Sequence, residues 1–335
     1  MIISWNTTNA CNLFCQHCYR DAGVKATDEL NTKEGLALID EIARAGFKIM
    51  IFSGGEPLLR EDIFHLVEHA VKRGLRPVFG TNGMLIDQTV AEKLKKSGAA
   101  AMGISLDSAD PARHDRFRGF EGAWQGAVDG MEACRRAGIP FQVHTTVVDW
   151  NYDEIEAITD FSVKVGAMAH HLFFLVPAGR GADIESESLR TERYEKLLER
   201  IMKKQGQVNI ELKPTCAPQF MRIAREMGVR TRFSRGCLAG TAYCIISPVG
   251  NVQPCAYLNI SAGNVREKPF SEIWKDNPMF NRLRTMEYTG GCGICQYSKI
   301  CGGCRARAFF YHDDYMAEEP WCLYRTSVVG GLSSE

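Results

Sequence analysis

The stretch Cys11-Asn-Leu-Phe-Cys15-Gln-His-Cys18 decides how this chain is read. It follows closely on an apolar run, Ile2–Asn6, that reads as a strand. Three thiols spaced C-x3-C-x2-C on one short loop can hold three irons of a cubane cluster and leave the fourth iron open to an outside ligand. Zinc is the competing assignment. A structural zinc asks for four closed ligands, usually from paired C-x2-C knuckles, and His17 beside Cys18 is poorly placed to be the fourth.

Outward from this loop, strand candidates recur at Lys48–Phe52, Arg76–Gly80, Ala101–Leu106, Phe141–Val147 and His171–Val176. Helical periodicity fills the intervals. Thr32–Arg44 carries Leu36, Ile39, Ile42 and Ala43 on one face, with Thr32 as a candidate N-cap. Ile63–Lys72, Thr89–Lys96, Gly122–Ala137 and Tyr152–Val165 repeat the rhythm. Gly46, Gly74, Gly98, Gly138 and Gly166 stand where these helices should stop. Six such units predict an α/β fold, a parallel sheet with right-handed crossovers curved into a partial (β/α)6 TIM barrel. Its ligands should bind at the C-terminal ends of the strands. The cysteine loop, Ser53–Pro57, Thr81–Gly83 and Ser105–Ser108 all fall there.

The chain has 335 residues and 13 cysteines, an odd number that no complete set of disulfides can use. It opens Met-Ile-Ile-Ser-Trp-Asn, with neither a basic segment nor an apolar core of a signal peptide, and no apolar run approaches the length of a membrane span. A cytoplasmic protein with thiols spent on metal is the expectation. Lys plus Arg equals Asp plus Glu at 40 each, so no global field draws the protein to nucleic acid. Nine of the cysteines lie beyond residue 215, which suggests two modules, 1–212 and 213–335, with a passage at Gln205–Lys213. Cys134 stands alone in a helix and reads as a small buried hydrophobe. Cys216, in Lys213-Pro-Thr-Cys-Ala-Pro, either faces the cavity or packs in the core.

The cysteine loop with Tyr19, followed by Ser53-Gly54-Gly55-Glu56-Pro57, resembles the radical S-adenosylmethionine (SAM) superfamily. The resemblance implies a [4Fe-4S] cluster on Cys11, Cys15 and Cys18 whose open iron binds SAM. It further implies that Gly54, Gly55, Glu56 and Pro57 lie against the methionine moiety and that Ser105 and Asp107 contact the ribose, with Glu56 accepting from the ammonium group. The C-terminal pattern Cys237-x6-Cys244-x5-Gly250-x4-Cys255, then Cys292-x2-Cys295-x5-Cys301-x2-Cys304-x17-Cys322, resembles the cysteine-rich SPASM extension of that superfamily. This implies one or two auxiliary [4Fe-4S] clusters. One would take Cys237, Cys244, Cys255 and Cys304; the other would take Cys292, Cys295, Cys301 and Cys322. Many relatives have three residues where Cys301-x2-Cys304 has two.

The wording around Thr7–Ala10, His170–Gly181, Lys213–Phe220, Arg235–Gly240 and Cys301–Ala308 is similar to the tetrapyrrole-modifying NirJ/AhbC/AhbD group, and within it to the Fe-coproporphyrin III decarboxylases. That resemblance implies oxidative decarboxylation of two propionates to vinyl groups, giving heme b, with a low-potential donor such as ferredoxin or flavodoxin as partner. The alternatives are removal of acetate side chains from a siroheme derivative and, further off, peptide maturation. An iron tetrapyrrole brings carboxylates, and Arg180, Lys213, Arg232 and Arg235 are candidates to grip them. His170 and His171 are candidates for an axial ligand.

Overall fold

The computed structural model describes residues 1–324. Strands β1 (Ile2–Asn6), β2 (Ile49–Ser53), β3 (Arg76–Thr81), β4 (Ala101–Ser105), β5 (Phe141–Val147) and β6 (Ala169–Phe174) lie side by side in chain order, each parallel to the next. Each is joined to the next through a connection that carries at least one helix. The expected six-unit parallel sheet is therefore present, with strand bounds within two residues of those read from the sequence. The five glycines expected at helix ends all have positive φ. One cap differs: Asn31, not Thr32, caps the helix Thr32–Arg44, in a reciprocal capping box with Glu34.

The sheet extends beyond six strands at both edges. β7 (Glu211–Thr215) adds in parallel to β6, and β8 (Tyr243–Ile246) adds in parallel to β1. β9 (Asn251–Gln253) and β10 (Gly263–Asn264) continue antiparallel, giving the order β10-β9-β8-β1-β2-β3-β4-β5-β6-β7. The passage read at Gln205–Lys213 thus holds the end of a helix and the start of β7. The C-terminal third is welded to the barrel through β8.

Alternation of side chains across the strands sorts the molecule into two faces. Ile3, Trp5, Met50, Phe52 and Phe79 are buried in the main core with the flanking helices. That core runs on into Cys244, Ile246, Phe270, Trp274 and Phe280 of the C-terminal third. Phe47 stacks edge-on against Trp274, with ring centroids 5.1 Å apart. On the other face, His144, His171 and Lys213 stand in register on β5, β6 and β7. Gly103 of β4 lies on the same face, since a Cβ there would lie 2.1 Å from the His144 ring.

Candidate metal centres

The first cysteine group hangs between β1 and a short bridge from Ala10 to Gly23. The Cys11 N–H donates to the Gly23 carbonyl at 2.9 Å, and the Gly23 N–H donates to Asn9 at 2.9 Å. One carboxylate oxygen of Glu29 accepts from the Asn9 N–H, the Thr8 hydroxyl and the Ala26 N–H. Glu29 had no sequence signal, because nothing in its own surroundings in the chain marks it as the partner of Thr8 and Asn9, about twenty residues earlier.

Gly54 and Gly55 have a specific steric duty. A Cβ on Gly54 would fall 2.5 Å from the Thr8 carbonyl oxygen, and one on Gly55 would fall 2.2 Å from that of Ala10. The N–H groups of Gly55 and Glu56 donate to Thr8 and Ala10, each at 2.8 Å. These glycines let β2 dock against the root of the cysteine loop. Glu56 is fully buried and turned into the sheet end. Its carboxylate accepts from the Thr81 hydroxyl at 2.8 Å, from the Asn82 N–H at 2.9 Å and from the Leu58 N–H at 3.2 Å. Burial, opposed by these hydrogen bonds, pushes its pKa up to about 7. The carboxylate expected to meet an ammonium group is thus mostly engaged in holding Thr81–Gly83. Asn82 reaches on to Asn12, inside the cysteine loop, at 2.8 Å.

Asp107 is completely buried and accepts from Arg118 Nε at 2.6 Å and from the Thr146 N–H at 2.7 Å. Burial raises its pKa, but Arg118, His17 and His114 together outweigh this and hold it at about 2. The product of the pair is a buried guanidinium that reaches Cys15 Sγ at 3.8 Å. Ser105 donates to the Thr81 carbonyl at 3.3 Å. Pro57 is buried at the start of a single 3-10 turn.

The proposed carboxylate grips are mostly occupied. Arg180 donates to the carbonyls of Cys15 and Ala22 and stacks over Phe14, so it braces the cysteine loop. Arg232 pairs with Glu211, and Arg235 bonds Cys237, Tyr288 and Met286. Lys213 lies over the Phe233 ring. His170 has both ring nitrogens engaged, by Thr145 and Thr159, and is no free ligand. His171 stacks on His144 with ring centroids 5.3 Å apart.

One arginine without a sequence assignment is different. Arg20 has no ion-pair partner among the described residues, and its Nε is buried with no acceptor. It lines a cavity of about 520 Å³ with Tyr19, Pro177, Gln253, Tyr257 and Phe310. Its lining comes both from the end of the cysteine loop and from the C-terminal third.

In that third, Cys292, Cys295, Cys301 and Cys322 all line one small cavity. Gly302 and Gly303, both at positive φ, turn the chain within two residues, and Cys304 then packs in a different cluster with Val176, Leu258, Cys216 and Cys255. The two-residue spacing is therefore enough to divide Cys301 from Cys304. Glu319 ties the groups together. It accepts from the Cys304 N–H at 2.6 Å and pairs with the buried Arg307 at 2.7 Å. Its own N–H lies 3.2 Å from Cys292 Sγ. Cys244 departs from its expected set. It is fully buried in the helix-side core, and the only charged neighbour that acts on its thiol is Arg284. Among the described residues no three His, Cys, Asp or Glu side chains converge tightly enough for a single metal ion.

Comparison with known proteins agrees with this architecture. The family model of the radical SAM superfamily matches residues 5–162, and that of the SPASM iron–sulfur cluster-binding domain matches residues 237–305. The AdoMet-dependent heme synthase of Methanosarcina barkeri is 43% identical, over 97% of this chain and 96% of that protein. The Fe-coproporphyrin III synthase of the same organism is 32% identical, over 98% of this chain and 89% of that protein. The solved structure of Streptococcus suis SuiB bound to precursor peptide SuiA superposes with a TM-score of 0.77 at 18% identity, covering 97% of this chain and 75% of that one, which is a likeness of fold.

Proposed function

The chain belongs to the radical SAM superfamily and carries the SPASM domain, and we propose that it converts Fe-coproporphyrin III to heme b. The carrying observation is the cysteine loop, docked on Gly54 and Gly55, in a chain 43% identical along nearly its whole length to a heme synthase. Two propionate side chains of the substrate each lose a hydrogen atom from the carbon β to the carboxylate, then CO2 and one electron, and become vinyl groups. When bound, a [4Fe-4S] cluster on Cys11, Cys15 and Cys18 with SAM supplies the 5′-deoxyadenosyl radical for hydrogen abstraction, and auxiliary clusters supply a sink for the surplus electrons.

The chain's own residues do the rest. Burial raises the Cys15 thiol, and Arg118, fixed by Asp107, opposes this with positive charge beside the sulfur. The Glu56–Thr81 and Asn82–Asn12 links keep the loop in one position relative to β2 and β3. Arg20 presents an unpaired guanidinium to the cavity beside Tyr19, where it grips a carboxylate of the tetrapyrrole. The cavity volume is within the range of small-molecule sites. No helix among the described residues is long and apolar enough to cross a membrane. Our proposal includes turnover in the cytoplasm, with electrons from a ferredoxin or flavodoxin.

Mass spectrometry of Fe-coproporphyrin III after anaerobic turnover with SAM and dithionite tests this reading. Each of two propionic acid groups should lose the elements of CO2 and two hydrogens. Unchanged coproheme alongside a siroheme derivative that has lost acetates would replace this substrate with the alternative one.

A further inference from the structure

Two of the thirteen cysteines lack a place in the scheme above, and one that has a place is badly sited for it. Cys134 is buried in a helix of the core, where burial raises its pKa to about 12, and needs no further role. Cys216 and Cys244 are the informative pair. On β8, Tyr243 points to the barrel interior, where its hydroxyl donates to Ser4 at 3.0 Å. Alternation then sends Cys244 to the opposite face, into the main core, with 0% exposure. A ligand there would have to reach through the sheet.

Cys216 lies where Cys244 does not. It follows directly on β7, at the C-terminal end of the barrel, and packs in one cluster with Cys255, Cys304, Val176 and Leu258. Its φ of +60° is a left-handed conformation that a residue with a Cβ rarely adopts. The conformation is held from the cluster side, because Arg307 donates to the Cys216 carbonyl at 3.1 Å while also pairing with Glu319. The Cys237 turn is tied to the Cys255 turn through the Gly240 N–H, which donates to Pro254 at 3.1 Å. The Cys304, Cys255 and Cys237 thiols all lie near enough to act electrostatically on that of Cys216. No cysteine has a comparable effect on Cys244.

We propose that Cys216, and not Cys244, completes the ligand set with Cys237, Cys255 and Cys304 for one auxiliary [4Fe-4S] cluster. The set adjoins the first cysteine loop through Tyr257, whose ring centroid lies 5.3 Å from that of Tyr19. Cys244 is a core residue. This inference rests on the radical SAM and SPASM reading of the chain.

The test uses the full chain, reconstituted anaerobically with iron and sulfide. Iron and sulfide per chain, the EPR spectrum of the dithionite-reduced protein and the melting temperature are measured for wild type, Cys216→Ala, Cys216→Ser, Cys244→Ala and Cys244→Val. In both Cys216 variants, one auxiliary cluster should be lost or its EPR signature altered, with the melting temperature of the apo form close to wild type. Cys244→Val keeps an apolar side chain of similar size and should retain wild-type iron and spectrum even if Cys244→Ala folds poorly. Wild-type iron and spectrum in both Cys216 variants, or loss of one cluster in Cys244→Val, would overturn the assignment while leaving the family reading intact. Wild-type protein that takes up only a single cluster would overturn both.

Discussion

The two cysteine regions solve the same problem in opposite ways. The first keeps its three thiols within one loop, and the barrel ends merely brace it through Gly54, Gly55, Asn82, Arg118 and Arg180. The second collects thiols from positions between 216 and 322, and no short segment contains either set. What gathers them is a buried polar network: Arg307 against Glu319, Glu319 against the Cys304 N–H, and Arg305 against the carbonyls of Tyr315 and Ala317. A loop-encoded site should fail through its own residues. A fold-encoded site should fail through its supports.

Four substitutions would break or sharpen that contrast. The largest effect is expected for Cys15→Ala, which should abolish 5′-deoxyadenosine formation while leaving the iron of the second region in place. Simultaneous loss of all iron would show that the regions load together. Next, Glu319→Gln leaves Arg307 buried without a full counter-charge, at a cost of about 3–5 kcal/mol. The melting temperature should drop and auxiliary iron should fall, with the SAM-cleaving loop spared at low temperature. Gly55→Ala should cost about 1–3 kcal/mol of overpacking against Ala10. Its signature is weaker SAM binding by equilibrium dialysis, with auxiliary EPR signals unchanged. The smallest effect belongs to Arg20→Gln, which should weaken Fe-coproporphyrin III binding by about 10–100-fold, the worth of one charge-assisted pair. Tetrapyrrole-free SAM cleavage should be unaffected. An equal loss of both would mean that Arg20 serves the loop and not the cavity.

The same contrast explains what could be read in the sequence. Strands, helices and helix stops were legible because apolar periodicity and glycine position are local properties. The SAM loop was legible for the same reason. The partners of Asp107 and Arg180 were not legible because a charged side chain carries no mark of its partner, and here the partners are a buried arginine and two backbone carbonyls. The face that Cys244 takes was not legible because Tyr-Cys-Ile-Ile shows no apolar–polar alternation, and it becomes visible only once β8 is seen to pair with β1. Arg20 gave no signal, since being unpaired is a fact about surroundings. Cys216 was noticed but could not be placed without knowing where β7 ends.

The parallel pairing of β8 with β1 has a mechanical consequence. β1 leads straight into the cysteine loop, and β8 begins six residues after Cys237. A backbone ladder therefore works as a ruler between the two regions, and no hinge lies along it. A chain severed between β7 and β8 would turn β1, the apolar Ile2–Asn6, into a bare sheet edge that invites pairing with another copy. The two regions are thus poor candidates for independent existence, and any exchange of electrons between them runs across a span that thermal motion changes little.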